Sequence, residues 1–253
     1  MRYDMGCAKR LYADNVHPRV MLDAKDVLTL RALVRSGDGK KVMTALRGKV
    51  RRLVDAVLKS PDLNKMLAWE ARQWSDPGIL VRMCLDDIAL VAAIDEDADT
   101  IEALRRVFAA GGNERGRKAK LGLSGTAYDL AYHYLPEETR HAYREAAVDL
   151  TREQITRGRK SIFKLAAHNI TLGTALAGLP AVMAIAGDEG VPNLDAERDE
   201  LLLFLEAVLH VAINEDGYPE EDIGYGTGVT AEVAMYCEML RRAGLYDVYA
   251  RCP

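Results

Sequence analysis

Two stretches of this chain concentrate side chains that could do chemistry. The first is His168-Asn169, an imidazole and an amide at the head of the most apolar run in the sequence. Buried polar groups of this kind cost about 1–3 kcal/mol each unless they find partners. They either bridge helices inside a core or face a site as hydrogen-bonding groups. The second stretch runs from Asp216 to Gly228 and holds Asp216, Glu220, Glu221, Asp222, Tyr218 and Tyr225. Glycines at 217, 224, 226 and 228 let a backbone approach a ligand closely or take positive φ. Tyr225 lies between two of them, so its hydroxyl can be placed with unusual freedom. A tight turn between helices is the plain alternative, while the length and polarity of the stretch favour a functional loop.

Aromatic and basic residues offer weaker signals. Trp69 and Trp74, beside Glu70, Arg72 and Gln73, could rim a cleft and stack on sugar rings, or simply pack in a core. Tyr128 and Tyr132 stand one helical turn apart and could line one groove. His133, His141 and His210 have no partner by spacing and read as structural or surface residues. Lys40-Lys41, Arg47 to Arg52, Arg115 to Lys120 and Arg157 to Lys160 form local basic clusters, read either as solvated helix faces or as a trough for an acidic polymer. Cys7, Cys84, Cys237 and Cys252 have neither zinc spacing nor the pattern of a disulfide framework. The spacing implies no metal site and no cofactor.

The elements that must position these residues read as helices. Met1 to Leu22 is an irregular lead-in, extended at His17 because Pro18 follows it. Asp23 caps a helix, with Asp26 completing a capping box, and Leu28, Leu30, Leu33 and Val34 recur at helical spacing. Val42, Leu46, Val50, Leu53, Val54 and Val57 mark an amphipathic helix over Lys40–Leu58. Another stretch covers Asn64–Trp74. Asp76-Pro77 opens the next helix, with Pro77 at its first position and Ile79 to Ile94 as its apolar body. Further helices span Asp97 to Phe108, Leu123 to Tyr134, Pro136 to Arg157, Phe163 to Ala186, Asp195 to Asn214 and Thr227 to Ala243. Gly244 ends the last of these, and another begins at Leu245. The expected class is all-α, built of antiparallel helix hairpins joined by short turns. The expected organisation is a lead-in over 1–22 and one helical domain over 23–253.

Bulk properties remove several functions. The 253 residues are 49% hydrophobic and 28% charged, with 8 prolines, which excludes a disordered or collagen-like chain. A formal net charge of −4 gives no global pull toward nucleic acid. The run Leu172 to Gly187 contains Pro180 and is short for a membrane span, so a buried helix is expected and no membrane partner. Met1 to Leu11 lacks the apolar segment of a signal peptide, and location is otherwise open.

In order and spacing, several segments resemble heparinase II/III-like and alginate lyase-type polysaccharide lyases. They are His17-Pro18-Arg19-Val20-Met21-Leu22, Tyr128-Asp129-Leu130-Ala131-Tyr132, Leu135-Pro136-Glu137-Glu138-Thr139-Arg140, Asn169 with its apolar helix, Asp216-Gly217 through Gly224-Tyr225, and Leu245-Tyr246-Asp247. The resemblance covers nearly the whole chain. It implies an α/α toroid that is incomplete at Pro253, and a β-sandwich domain of the same enzyme missing from this chain. It implies β-elimination on a uronic-acid-containing polysaccharide, with an acidic polysaccharide or oligosaccharide as partner. A base removes the weakly acidic C5 proton, and the 4-O bond leaves. Asn169 would neutralise the carboxylate as an amide donor. Tyr225 would act as general acid, or as base and acid on one face, with a pKa lowered from about 10. His168 would be a second donor or the base. Many relatives carry a histidine after the asparagine, whereas here it stands before. Trp69, Trp74, Tyr128, Tyr132 and Glu221 would bind substrate.

Two other functions fit the residues. A glycoside hydrolase on a helical toroid would use carboxylates among Asp216, Glu220, Glu221 and Asp222. A non-catalytic glycan-binding or scaffold domain would need only the helices.

Overall fold

The computed structural model describes residues 16–67, 75–112, 124–165, 176, 178–212, 223–245 and 247, and they divide into two compact units. One comprises His17–Ala146; the other comprises Ala147–Pro253 together with Met1–Val16. Among the described residues the regular elements are all helical.

In the first unit, α1 (Ala24–Leu33) starts at the expected cap. Asp23 accepts from the Asp26 backbone N–H at 2.8 Å, and Asp26 accepts from the Asp23 N–H at 3.0 Å. This reciprocal pair satisfies two donors that a helix start leaves open. α2 (Gly37–Lys59) begins three residues earlier than its apolar pattern suggests, on Gly37 at φ +56°. It buries Met43, Val50, Leu53, Val54 and Val57, while Val42 is 69% exposed. α3 (Leu63–Leu67) is short and packs against α4 (Pro77–Met83). Asp76 caps α4 through the Gly78 N–H at 2.8 Å. The apolar body expected as one helix is divided at Cys84, after which α5 (Leu85–Asp95) begins. Hydrogen bonds continue on both sides of the break, from Cys84 N–H to the Leu80 carbonyl and from Ile88 N–H to the Cys84 carbonyl, each 3.0 Å.

α5 is the central element of this unit. Leu85, Ile88, Ala89, Ala92 and Ala93 are buried on it, and it packs against α1, α2, α6 (Ala98–Gly112) and α7 (Gly125–Ala131). All of α7 except the half-buried Thr126 is buried, including the carboxylate of Asp129. A 3-10 turn over Tyr132–Tyr134 follows, and then α8 (Glu137–Leu165). Two helix ends are closed by arginines from neighbours. Arg31 donates to the Ala93 carbonyl at 2.6 Å, and Arg106 donates to the Leu58 carbonyl at 2.8 Å. Both satisfy last-turn carbonyls and place a cation at a negative dipole end.

In the second unit, the later part of α8 packs beside α10 (Asp195–Ala212), and α9 (Gly178–Ile185) lies against α10. Gly158 makes the approach possible, because a Cβ there would stand 2.6 Å from the Phe204 ring. Arg152–Glu197 at 2.7 Å and Arg159–Glu200 at 2.5 Å pin the same pair of helices at the surface. Every residue of α9 is buried, with Leu201, Leu202, Leu205 and Val208 of α10 beside it in the core. The segment expected as one helix from Phe163 to Ala186 is otherwise: residues up to Leu165 belong to α8, and α9 starts afresh at Gly178. α11 (Ile223–Arg242) closes at Gly244, φ +67°, with Leu245 N–H donating to the Leu240 carbonyl at 3.0 Å. That is the left-handed glycine ending that the sequence suggests. Among the described residues no helix is long and apolar enough to cross a membrane.

Candidate functional site

The most concentrated set of polar and aromatic groups among the described residues gathers around Asp129. Its carboxylate sits in an otherwise apolar helix and is 1% exposed. A charge so placed must be fully satisfied by hydrogen bonds. Oδ1 accepts from His17 Nδ1 at 2.6 Å, and Oδ2 accepts from the backbone N–H groups of Arg19 and Val20, each at 2.7 Å. The acceptor-only carboxylate fixes the His17 tautomer with a proton on Nδ1. His133 Nε2 donates to the His17 carbonyl at 2.9 Å, so α7 and the 3-10 turn after it both hold the lead-in. The peptide bond His17–Pro18 is cis.

Rings surround this dyad. His17 stacks on Tyr132 with centroids 3.7 Å apart and planes at 12°. The Arg140 guanidinium carbon lies 4.5 Å from the centre of the same ring. Two groups that close to one centroid cannot share a face, so both faces of Tyr132 are covered. A ligand would meet its edge and hydroxyl. Tyr128 stacks on Tyr143 with centroids 4.0 Å apart, and Phe108 meets both edge-on. Burial pushes the Tyr143 phenol well above its ordinary value, with the nearby Tyr128 adding to the effect, so it stays protonated. Beside the cluster Glu137 joins Arg144 at 2.5 Å and Arg140 at 2.6 Å. The hydrogen bond from Arg144 holds the Glu137 carboxyl below the usual range, and Arg140 adds to it.

A His–Asp pair can in principle poise an imidazole as a base. Here His17 is 3% exposed and Asp129 1%, so neither presents a reacting atom to a polymer. The arrangement fastens residues 17–20 to α7 and orders the aromatic layer beneath. Tyr128 departs from the groove-lining expectation: its ring is 0% exposed and belongs to that layer. Tyr132 is half-buried.

The other expected site residues lie mostly elsewhere. Asn169, His168, Trp69, Trp74 and Glu221 fall outside the described residues. Tyr225 has a described backbone, and it is helical, in the first turn of α11. The expectation of a loop through residue 226 is corrected there: Gly224, Gly226 and Gly228 lie within the helix and supply no loop freedom. Each glycine costs a helix about 1 kcal/mol relative to alanine, a weak preference that burial of Val233, Tyr236, Cys237 and Leu240 further along α11 can outweigh. Of the histidines, His133 is held as above and His141 lies 3.6 Å from Glu145. Cys84 and Cys237 are buried thiols. Among the described residues no group of three or more His, Cys, Asp or Glu could hold a metal ion.

Sequence reasoning passed over Asp129 and His17 as interacting groups, although a signal was present. A lone carboxylate between Ala127-Tyr128 and Leu130-Ala131 must be buried with the helix and must find a distant donor. No protein-family model and no curated protein matches the chain.

Proposed function

We propose that this chain is the helical part of a polysaccharide lyase of the heparinase II/III-like kind, an α/α toroid acting on a uronic-acid-containing polysaccharide by β-elimination. The observation that carries the reading is the bonding of Asp129 to His17, Arg19 and Val20. Two of the segments on which the resemblance rests, far apart in sequence, are joined in one buried cluster. The all-helical architecture of the described residues agrees with it.

In this reading Asn169 donates to the substrate carboxylate and stabilises the charge that grows on it as the C5 proton leaves. Tyr225 takes that proton or gives one to the departing 4-O oxygen. A helix N-terminus favours nearby negative charge, and the first turn of α11 at residue 225 is therefore a suitable place for a tyrosinate. His168 assists Asn169, and Glu221 contacts the sugars.

The test is incubation of the purified chain with a panel of uronate polymers. Ultraviolet absorbance reports the unsaturated product, and a reducing-end assay reports total cleavage. Absorbance and reducing ends should rise together. Asn169→Ala and Tyr225→Phe should each lower turnover at least about 100-fold, the usual weight of a transition-state donor or an acid–base group, with unchanged circular dichroism. Reducing ends without absorbance would establish a hydrolase instead. Near-normal elimination in either variant would overturn the residue roles.

A further inference from the structure

Several basic side chains on the first unit are matched by acids. Lys41 meets Asp38, Lys49 meets Asp87, and Arg51 meets Asp55 and Asp99. In one place cations outnumber acids around a cleft. A cleft of about 490 Å³ opens between the end of α1, the start of α2 and the end of α5. Arg31, Arg35, Lys40 and Arg47 line it, against only two acids, Asp95 and Glu96.

The two acids are spoken for by two of the cations. Arg47 holds Asp95 through Nε and Nη2, both at 2.6 Å, which leaves its Nη1 edge open. Arg31 spans the Ala93 carbonyl and Glu96 at 2.6 and 2.7 Å. Among the described residues Arg35 and Lys40 form no ion pair, and both are exposed. The fixed pairs hold the walls, while the cleft keeps two uncompensated positive charges and a free guanidinium edge. Val34 and Ile94 also line it, adding apolar surface between the charges.

We propose that this cleft binds an anionic sugar of an acidic oligosaccharide. Its carboxylate or sulfate group lies against Arg35, Lys40 and the open edge of Arg47, and its ring face lies on Val34 and Ile94. The ligand class rests on the lyase reading above; the site does not. Charge-assisted bonds from arginine suit a carboxylate or sulfate oxygen, and the C–H face of a pyranose suits a small apolar floor. Inorganic anions share the oxyanion chemistry but cannot use that floor.

The experiment is titration calorimetry on the whole chain carrying Tyr225→Phe to suppress turnover. The probes are oligogalacturonate, alginate-derived and heparin-derived oligosaccharides, a neutral oligosaccharide of equal length, and inorganic sulfate. At least one acidic oligosaccharide should bind, more weakly as salt rises. Arg35→Gln with Lys40→Gln should weaken it roughly ten-fold, the weight of two partly exposed ion pairs. Lys25→Gln with Arg52→Gln, which removes the same charge away from the cleft, should leave affinity within about two-fold. Equal affinity in the Arg35/Lys40 variant would overturn the site. Equal binding of sulfate alone would overturn the saccharide assignment. The same Arg35/Lys40 pair, placed in the chain with Tyr225 intact, is assayed for elimination. Elimination that persists with affinity unaltered by the pair sinks this site alone. Affinity lost in the pair, with no elimination from the unmutated chain, sinks the lyase reading alone.

Discussion

Asp129→Ala is the sharpest perturbation of this structure. It removes one acceptor from three donors: His17 Nδ1 at 2.6 Å and the N–H groups of Arg19 and Val20 at 2.7 Å. Hydrogen bonds to a charged group contribute about 1.5–3 kcal/mol each, and stranding a buried donor costs about 1–3 kcal/mol. The three bonds share one carboxylate and are not additive, and the lead-in can partly detach to reach water. Breaking a buried ionic contact by deleting one partner costs about 3–5 kcal/mol, and that range is expected here. Asp129→Asn separates charge from geometry. With its amide oxygen toward Arg19 and Val20, the Asn keeps both backbone bonds. Its NH2 then faces His17 Nδ1, which can accept if the ring proton moves to Nε2. Asn is therefore expected to cost about 1–2 kcal/mol, the loss of charge assistance plus the tautomer change. The assay is urea unfolding followed by circular dichroism, with the chain's two units allowed separate transitions. The loss should fall on the transition of residues 17–146. A loss below about 1 kcal/mol for Asp129→Ala would refute the role of the carboxylate as the anchor of residues 17–20. Equal losses for Ala and Asn would refute the tautomer argument.

Two further outcomes test the packing and the charges. Gly78→Ala would put a Cβ 1.8 Å from the Met66 carbonyl oxygen, a backbone atom that no rotamer change can move. It should destabilise by about 1–3 kcal/mol in denaturant unfolding, and a change within about 0.5 kcal/mol would show that α3 and α4 are not packed this closely. Asp97 is held below the usual carboxylate range by the Thr100 hydroxyl and N–H, and Glu137 is held low by Arg144. Depressed folded values contribute stability that is present above the unfolded value near pH 4, about the ordinary carboxylate range. That stability is lost as pH falls through the folded values beneath it. The melting temperature should therefore drop on acidification below about pH 4, and less steeply in Asp97→Asn with Glu137→Gln; parallel curves for both proteins would contradict the assignment.

How much of the molecule can be read from its sequence follows from which interactions are local. Asp23 with Asp26, Asp76 before Pro77, and Gly244 after Arg242 act within a few residues, and each ends or starts a helix where expected. Helical class itself is local in this sense, because the 3.6-residue period needs no partner to be seen. The buried face is another matter. Leu28 and Leu33 recur at helical spacing on α1 yet are 63% and 59% exposed, and only Val27 of that helix is buried. Val42 fits the α2 stripe by type, while Met43 takes the buried place. Periodicity reveals a stripe only to within a residue or so, and the neighbouring helix selects its edge.

The candidate site follows the same division. Chemistry-bearing types at His168-Asn169 and around Tyr225 are visible in the sequence, and so are the two separate segments that hold His17 and Asp129. That Tyr225 begins inside α11 rather than in a loop was decided by the packing of the helix beyond it, against three glycines of poor helix propensity. That Tyr128 is a core ring and Asp129 an anchor depends on His17, which is 112 residues from Asp129 in the chain. No local preference spans such a distance. The sequence alone determined the helices and most of their ends, because backbone hydrogen bonds and caps close within a turn. Tertiary structure alone decided which polar groups are satisfied and which cations stay unpaired, because a buried charge is settled by whichever donor the fold brings to it.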